Sequence, residues 1–113
     1  MKILKQPITF SELHQMAANA FGNLVKAVVD VDRELLAVDA ELHSDLEAAL
    51  LEEGSRQKDL WGINLYPEME GDRFVEFDSL INIRPSQSNQ SRGVDDPETR
   101  KKIIEIVAQR IKR

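Results

Sequence analysis

Two strand-like stretches lie almost end to end in this chain, and their spacing limits how the chain can fold. In residues 25–31, β-branched or small apolar residues alternate with a second, mostly polar set, and residues 34–39 form another short run. Only Asp32 and Arg33 separate the two runs. Parallel strands need a crossover of about a dozen residues or more, so an antiparallel hairpin is predicted here.

Three helices are predicted from their start signals. Thr9–Glu12 is a capping box that precedes apolar residues at the spacing of one helical face, and Gly22 ends that pattern. A second capping box, Ser44–Glu47, opens an alanine- and leucine-rich run that ends before Gly54. The last helix begins with Asp96 as its N-cap, followed by a proline at the first helical position.

Two further extended stretches complete the predicted fold. Residues 60–66 alternate apolar and polar positions, and residues 73–84 do the same with a bend or bulge near Asp78. A polar loop, residues 85–94, leads to the last helix. The order α-β-β-α-β-β-α predicts a single α+β domain over residues 1–113. We expect one mainly antiparallel sheet of about four strands, with three helices covering one face of it.

The composition excludes several classes of protein. The chain has 113 residues and no cysteine, so it holds no disulfide, no thiol nucleophile and no cysteine-ligated metal centre. A hydrophobic fraction of 42% with regular apolar spacing argues against disorder, although 31% of the residues are charged. No apolar run approaches the roughly 20 residues of a membrane span or resembles a signal peptide. We therefore expect a soluble cytoplasmic domain without a membrane segment.

The net charge of −5 hides an uneven distribution along the chain. Residues 1–83 hold 7 basic and 16 acidic side chains, a balance of −9, whereas residues 84–113 hold 8 basic and 4 acidic ones, a balance of +4. The basic excess therefore begins at Arg84, where the last predicted strand ends. This division predicts that the C-terminal quarter contacts an anionic ligand, an acidic partner or the chain's own carboxylates.

The first candidate site is the polar loop that begins at Arg84. Guanidinium groups on Arg84 and Arg92 enclose serine hydroxyls and side-chain amides, and these donors suit phosphate or carboxylate. Polar side chains of two neighbouring strands could complete a pocket with them. The predicted ligand-binding residues are Arg84, Asn82, Ser86, Asn89, Arg92 and Asn64, with Tyr66 beside them. The predicted function is a binding domain for a small anionic ligand, phosphate or nucleotide-like.

The same loop has a simpler interpretation. It matches no phosphate-binding fingerprint, and Asp95 and Asp96 already place carboxylates at the start of the last helix. The alternative is a solvated connection whose arginines pair with the acidic part of the chain.

A second candidate lies in the acidic segment between residues 30 and 53. Glu41, His43 and Asp45 alternate and could present three ligands to a divalent metal, as a metal-dependent hydrolase would require. Local structure explains the same residues, because Asp45 would lie in the first turn of a helix and His43 just before its cap. We predict no metal site, no cofactor and no identifiable catalytic residue, and keep these three side chains as the candidates if a metal binds.

The third candidate is the basic last helix. Its cationic residues are Arg100, Lys101, Lys102, Arg110, Lys112 and Arg113. Such a helix could follow a nucleic-acid backbone. However, the whole domain is acidic and only 5% of its residues are aromatic, so nucleic acid is not expected as a partner. An alternative function is a structural or interaction module, a homo-oligomer in which the basic helix of one subunit meets the acidic segment of another.

Several stretches read together resemble a known family. They are Val28–Val31, Glu41–His43, Asp59–Pro67, Ile81–Gln87 and Ser91–Val94. The sequence is similar over nearly its whole length to a small uncharacterised prokaryotic family that is catalogued as a domain of unknown function. The resemblance implies a single-domain protein and assigns no role to any residue.

Overall fold

The computed structural model describes residues 1–113 as three helices and seven short strands. The helices are α1 (Phe10–Asn19), α2 (His43–Glu52) and α3 (Pro97–Arg110). The strands are β1 (Lys2–Leu4), β2 (Ile8–Thr9), β3 (Val25–Asp30), β4 (Leu35–Val38), β5 (Leu60–Leu65), β6 (Val75–Glu76) and β7 (Ile111–Lys112). Single turns of 3-10 helix cover Gln57–Asp59, Gly71–Arg73, Leu80–Asn82 and Pro85–Gln87. The helices are all too short or too polar to cross a membrane.

The main sheet has the strand order β1-β4-β3-β5-β6, and every neighbouring pair in it is antiparallel. The predicted hairpin of β3 and β4 is confirmed, with Asp30 paired to Leu35 at its closed end. No Asn-Gly turn is needed, because the Asp30 carboxylate accepts hydrogen bonds from the amides of Asp32 and Arg33, each at 2.9 Å. A separate pair, β2 with β7, is parallel and joins the two ends of the chain.

Five strands rather than about four form the sheet, because β1 adds to its edge beside β4. The expectation that the helices cover one face was wrong. Helices α1 and α3 pack on one face, where their apolar side chains join a core with alternate residues of β3 and β5, such as Ala27, Val29 and Ile63. Helix α2 packs on the opposite face. The smaller core beneath α2 contains Val28, Leu35, Ala37, Leu46, Leu50 and Leu60.

The physical reason for two covered faces lies in β3. Val28 belongs to the set that alternates with Ala27 and Val29, and all three side chains are fully buried. A central strand that is apolar on both sides needs a covering element on each face. The strict alternation expected for this strand predicts only one apolar face, and therefore only one covering layer.

The predicted long strand over residues 73–84 is only partly formed. Its two residues in β6 pair with β5, and the chain then bends into the 3-10 turn Leu80–Asn82. The Asn82 side chain takes the place of a neighbouring strand, because its amide donates to the Gly62 carbonyl at 2.9 Å and accepts from the Gly62 N–H at 2.8 Å. Ser79 and Ile81 lie against Gly62, and only glycine permits this approach, since a Cβ on residue 62 would lie 2.6 Å from the Ser79 Cβ.

Two of the three predicted helix starts are confirmed. Thr9 accepts from the Glu12 N–H at 3.1 Å, and Asp96 accepts from the Thr99 N–H at 3.2 Å. The capping box expected at Ser44 is not formed, because α2 begins two residues earlier with Leu42 as its N-cap. Leucine offers no side-chain oxygen, so the N-terminus of α2 has no side-chain cap.

Candidate functional site

Arg84, the central residue of the predicted loop site, is buried and bonded to backbone. Its guanidinium donates to the carbonyl of Gln57 at 2.6 Å, to that of Ile81 at 3.1 Å, and to that of Leu60. The guanidinium carbon lies 4.3 Å from the centre of the Trp61 ring, a cation–π contact. Arg84 therefore fastens the loop to the start of β5 with the donors that a ligand would need.

The two asparagines of the loop have similar internal partners. Besides its bonds to Gly62, the Asn82 amide donates to the Arg92 carbonyl at 2.9 Å. Asn89 donates to the carbonyls of Asn82 at 2.8 Å and Gly93 at 2.9 Å. Ser86 is exposed on the outside of the loop. The structure thus does not bring these residues together around a cavity.

The metal-ligand candidates do not converge either. Glu41 and Asp45 are exposed, whereas the His43 side chain is buried and its Nε2 lies 2.8 Å from the Ile63 carbonyl. No group of three histidine, cysteine, aspartate or glutamate side chains is arranged to hold a metal ion.

The other two predicted residues, Asn64 and Arg92, line one cavity of about 580 Å³ together with Tyr66. We call it the α2 cavity, because it lies on the α2 face of the sheet. Its floor is formed by β3, β5 and β6, one wall by the N-terminus of α2, and the other wall by residues 78–81. Its remaining lining residues are Leu24, Lys26, Leu42, His43, Ser44, Glu76, Asp78, Ser79, Leu80 and Ile81.

Three polar side chains form a row across the floor of the α2 cavity. Lys26 pairs with Asn64 in the β3–β5 register, and Asn64 pairs with Glu76 in the β5–β6 register. The residues on either side of them along each strand, such as Val25 and Leu65, point into the α1/α3 core. The row therefore follows from alternation along three strands combined with their register.

Glu76 is held in position by two donors. The Tyr66 hydroxyl donates to its Oε1 at 3.0 Å, and the Asn64 amide donates to the same oxygen at 2.8 Å. Burial, followed by the hydrogen bond to Glu76, raises the pKa of Tyr66, so the phenol stays protonated as a donor. Glu76 takes part in none of the seven ion pairs. The result is an oriented carboxylate that lacks a cationic partner.

Arg92 has an internal partner for its charge, whereas the amide oxygen of Asn64 has no donor. Arg92 forms an ion pair with Asp78, with Nε 2.7 Å from Oδ1. Asn64 is 7% exposed, and its amide nitrogen also donates to the Asp78 carbonyl at 3.3 Å. Its amide oxygen is buried and accepts no hydrogen bond from the protein. A buried amide oxygen without a donor is energetically costly, so the amide oxygen of Asn64 is the buried atom of the cavity that still lacks a hydrogen-bond partner.

His43 supplies a neutral imidazole beside this row. Because the Ile63 carbonyl can only accept, Nε2 carries the proton and Nδ1 keeps its lone pair. Burial lowers the pKa of His43, while the hydrogen bond to Ile63 and the Asn64 side chain oppose that shift. The imidazole is therefore uncharged at neutral pH.

Lys26 is the one cation of the α2 cavity that lacks a counter-ion. It belongs to none of the ion pairs, and its Nζ lies 5.2 Å from the centre of the Phe21 ring. The uncapped N-terminus of α2 faces the same space through His43 and Ser44. The first N–H groups of the helix and its dipole attract an anion there, although Asp45 places an exposed carboxylate in the same turn.

The sequence predicts Asn64, Tyr66 and Arg92 as site residues but not Lys26 and Glu76. Both missed residues are single charges in the polar alternation of a strand, where a solvated position is the ordinary outcome. The signal that distinguishes them is the strand register, which joins them through Asn64.

Comparison with known proteins identifies the family. Neither the curated proteins nor the solved structures contain a significant match to the chain. A family model described as "Protein of unknown function (DUF5674)" matches residues 2–110. This match confirms the resemblance to a domain of unknown function that the sequence stretches indicated. The chain belongs to the DUF5674 family.

Proposed function

We propose that this protein is a binding domain for a small organic anion, and that the ligand binds in the α2 cavity. The class of ligand is the one expected from the sequence, but the site differs from the loop at residues 84–93. The observation that carries the proposal is Lys26, a cation without a counter-ion beside a helix N-terminus without a cap. A carboxylate or phosphate group would contact the Lys26 ammonium and the first N–H groups of α2.

The walls of the cavity suit a ligand that also has an apolar part. Leu42 is 54% exposed and Leu80 is 67% exposed, and both line the α2 cavity. A volume of about 580 Å³ lies in the range of small-molecule sites. Apolar walls with a few placed polar groups are typical of such sites.

The loop is a poorer location for the same ligand. The Arg84 guanidinium already donates to three backbone carbonyls, so an anion would have to displace internal hydrogen bonds. Arg92 has Asp78 as its partner. An anion that binds Lys26 would break no internal hydrogen bond or ion pair.

Nuclear magnetic resonance titration with 4-methylpentanoate, and separately with inorganic phosphate, tests the proposal. We expect at least one of these anions to shift the backbone amide resonances of His43 and Ser44. Lys26→Met keeps the alkyl stem and removes the charge, so it should weaken binding roughly tenfold. Lys101→Met, on the exposed surface of α3, is the matched control and should bind like the wild type.

A second variant separates the cavity from the loop. Arg84→Lys should lower the thermal stability and leave the affinity for the anion unchanged, because its contacts are internal. The proposal is wrong if neither anion shifts the α2 amides. It is also wrong if Arg84→Lys abolishes binding while Lys26→Met does not.

A further inference from the structure

We propose that the ligand of the α2 cavity is a small zwitterion of the α-amino-acid class with an apolar side chain. In this arrangement Lys26 and the N-terminus of α2 bind the carboxylate, and Glu76 binds the ammonium group. The inference rests on the proposed function and adds the second charge of the ligand.

Two opposite charges face the same cavity without pairing. Lys26 and Glu76 both line it, yet neither forms an ion pair with the other or with any further residue. In the same cavity Arg92 and Asp78 do pair, at 2.7 Å. Lys26 is half-buried and Glu76 is exposed, so both charges are open to a group of opposite charge on a ligand. A ligand with one anionic and one cationic group would complement both.

The strand register keeps Lys26 and Glu76 apart. Asn64 stands between them, and neighbouring strands are about 4.8 Å apart, so their Cα atoms are about 10 Å apart. The Lys26 ammonium lies beside the Phe21 ring, so a compact group bound between the two charges would draw it away from that ring toward Glu76. An ammonium and a carboxylate on one carbon form such a group.

Glu76 is prepared for an ammonium group by the way it is oriented. Tyr66 and Asn64 both donate to Oε1, whereas Oε2 accepts no hydrogen bond from the protein. Two donors on one oxygen fix the plane of the carboxylate and leave the second oxygen available. A charge-assisted hydrogen bond from an ammonium to that oxygen is among the stronger contacts that a ligand can make.

Asn64 lies between the two charges, and its buried amide oxygen becomes a further acceptor once the side chain turns toward the ligand. Its amide oxygen has no donor within the protein, although the residue is 7% exposed. An ammonium group has three N–H donors and needs more than one acceptor. The apolar side chain of the ligand would then lie along Leu42 and Leu80.

Three matched ligands test the inference by isothermal titration calorimetry with the full chain. Leucine has both charged groups, 4-methylpentanoate lacks the ammonium, and leucinamide lacks the carboxylate. We expect leucine to bind roughly 10- to 100-fold more tightly than either analogue. Equal affinity for leucine and 4-methylpentanoate would overturn the inference and leave the anion-binding function standing. Failure of all three, and of phosphate, would contradict both.

The variant Glu76→Gln tests whether Glu76 binds the ammonium group of the ligand. Glu76→Gln keeps an oxygen that can accept from Tyr66 and Asn64 but removes the charge. It should weaken leucine binding roughly 10- to 100-fold and leave 4-methylpentanoate binding unchanged. Glu68→Gln, at an exposed position outside the α2 cavity, is the control and should change neither affinity. If Glu76→Gln weakens both ligands equally while its melting temperature is unchanged, Glu76 is not the ammonium site.

Discussion

At the scale of single residues, polar side chains in this protein serve two different needs. Asn82 and Arg84 carry the donors expected of a ligand site, but they satisfy backbone groups at the free edge of β5. That edge is free because β6 pairs with only two residues of β5. Buried backbone groups must have partners, so these side chains replace the missing strand. Glu76 and Asn64, in contrast, keep an oxygen without a donor.

Gly62 is the position that makes this replacement possible. In Gly62→Ala the new Cβ would lie 2.6 Å from both the Cβ and the Oγ of Ser79, so the turn at residues 80–82 must shift. We expect the free energy of unfolding to fall by about 1–3 kcal/mol, as measured by urea denaturation. Gly93→Ala meets its nearest atom at 3.4 Å and should cost much less.

The double variant Gly62→Ala/Ser79→Gly removes the clashing atoms and should recover part of the loss. A stability no higher than that of Gly62→Ala alone would show that the clash with Ser79 is not the cause.

The buried His43 makes stability depend on pH. Burial lowers its pKa in the folded protein below the ordinary value of 6.5, so on acidification the unfolded chain binds the proton first. The stability contributed by the neutral imidazole is complete above pH 6.5 and is lost as the pH falls below it, by up to about 1.4 kcal/mol per pH unit.

Urea denaturation between about pH 7 and pH 5 measures this dependence. His43→Gln should reduce its slope, whereas His14→Gln, at an exposed position on α1, should retain it. The same slope in wild type and His43→Gln would contradict the assignment.

At the scale of elements, α2 combines a packing role with an uncapped N-terminus that forms one wall of the cavity. Leu46 and Leu50 bury one face of the helix against Val28. Its N-terminus remains without a side-chain cap, although Ser44 lies only two residues beyond the N-cap Leu42. A missing cap costs a helix about 1 kcal/mol, so this end is less stable than the sequence allows. Lower local stability of this kind is common at functional sites.

Substitution of the N-cap should separate stability from binding. The backbone of Leu42 is extended (φ −126°, ψ 139°), which suits a capping side chain. Leu42→Asp should raise the free energy of unfolding by about 0.5–2 kcal/mol, because its carboxylate accepts from the first turn.

The same carboxylate should weaken 4-methylpentanoate binding, because it occupies the donors that the anion needs and repels its charge. Leu42→Asn caps the helix without charge and should weaken binding less. Unchanged affinity in Leu42→Asp would exclude the α2 N-terminus from the site.

At the scale of the whole molecule, the two ends of the chain and the two charge-rich parts of the sequence meet. Strands β2 and β7 pair in parallel, with Ile8 opposite Ile111. The basic α3 contacts the turn of the β3–β4 hairpin, where the Lys102 ammonium lies 3.2 Å from the Glu34 carboxylate. Arg110 donates to the Glu34 carbonyl at 2.9 Å. Part of the basic C-terminal quarter thus pairs with the acidic part of the same chain.

Closure of the chain ends should contribute measurably to stability. Ile111 is 4% exposed and belongs to the large core, so Ile111→Ala should lower the free energy of unfolding by about 2–5 kcal/mol. Lys112→Ala, at the next and exposed position, should change it by less than about 0.5 kcal/mol. Urea denaturation of both variants checks the difference. Similar values would mean that the final strand is frayed in solution.

The sequence by itself determined the elements whose signals are local. Capping residues located the starts of α1 and α3, and alternation with a two-residue connection required the β3–β4 hairpin. The same local patterns could not reveal that residues 78–82 leave the sheet, because alternation is similar in a strand and in a bend that packs on one. They also pointed to Arg84, because a guanidinium that binds backbone has the same sequence signature as one that binds a ligand.

Only the tertiary structure decided the strand order, the covering of both sheet faces and the location of the α2 cavity. Alternation shows which residues of one strand share a face, but it does not fix which distant strand lies beside it. The row of Lys26, Asn64 and Glu76 exists because β5 lies between β3 and β6 in one particular register. Burial of apolar residues far apart in sequence selects that register, and the charged row on the opposite side of the strands follows from it.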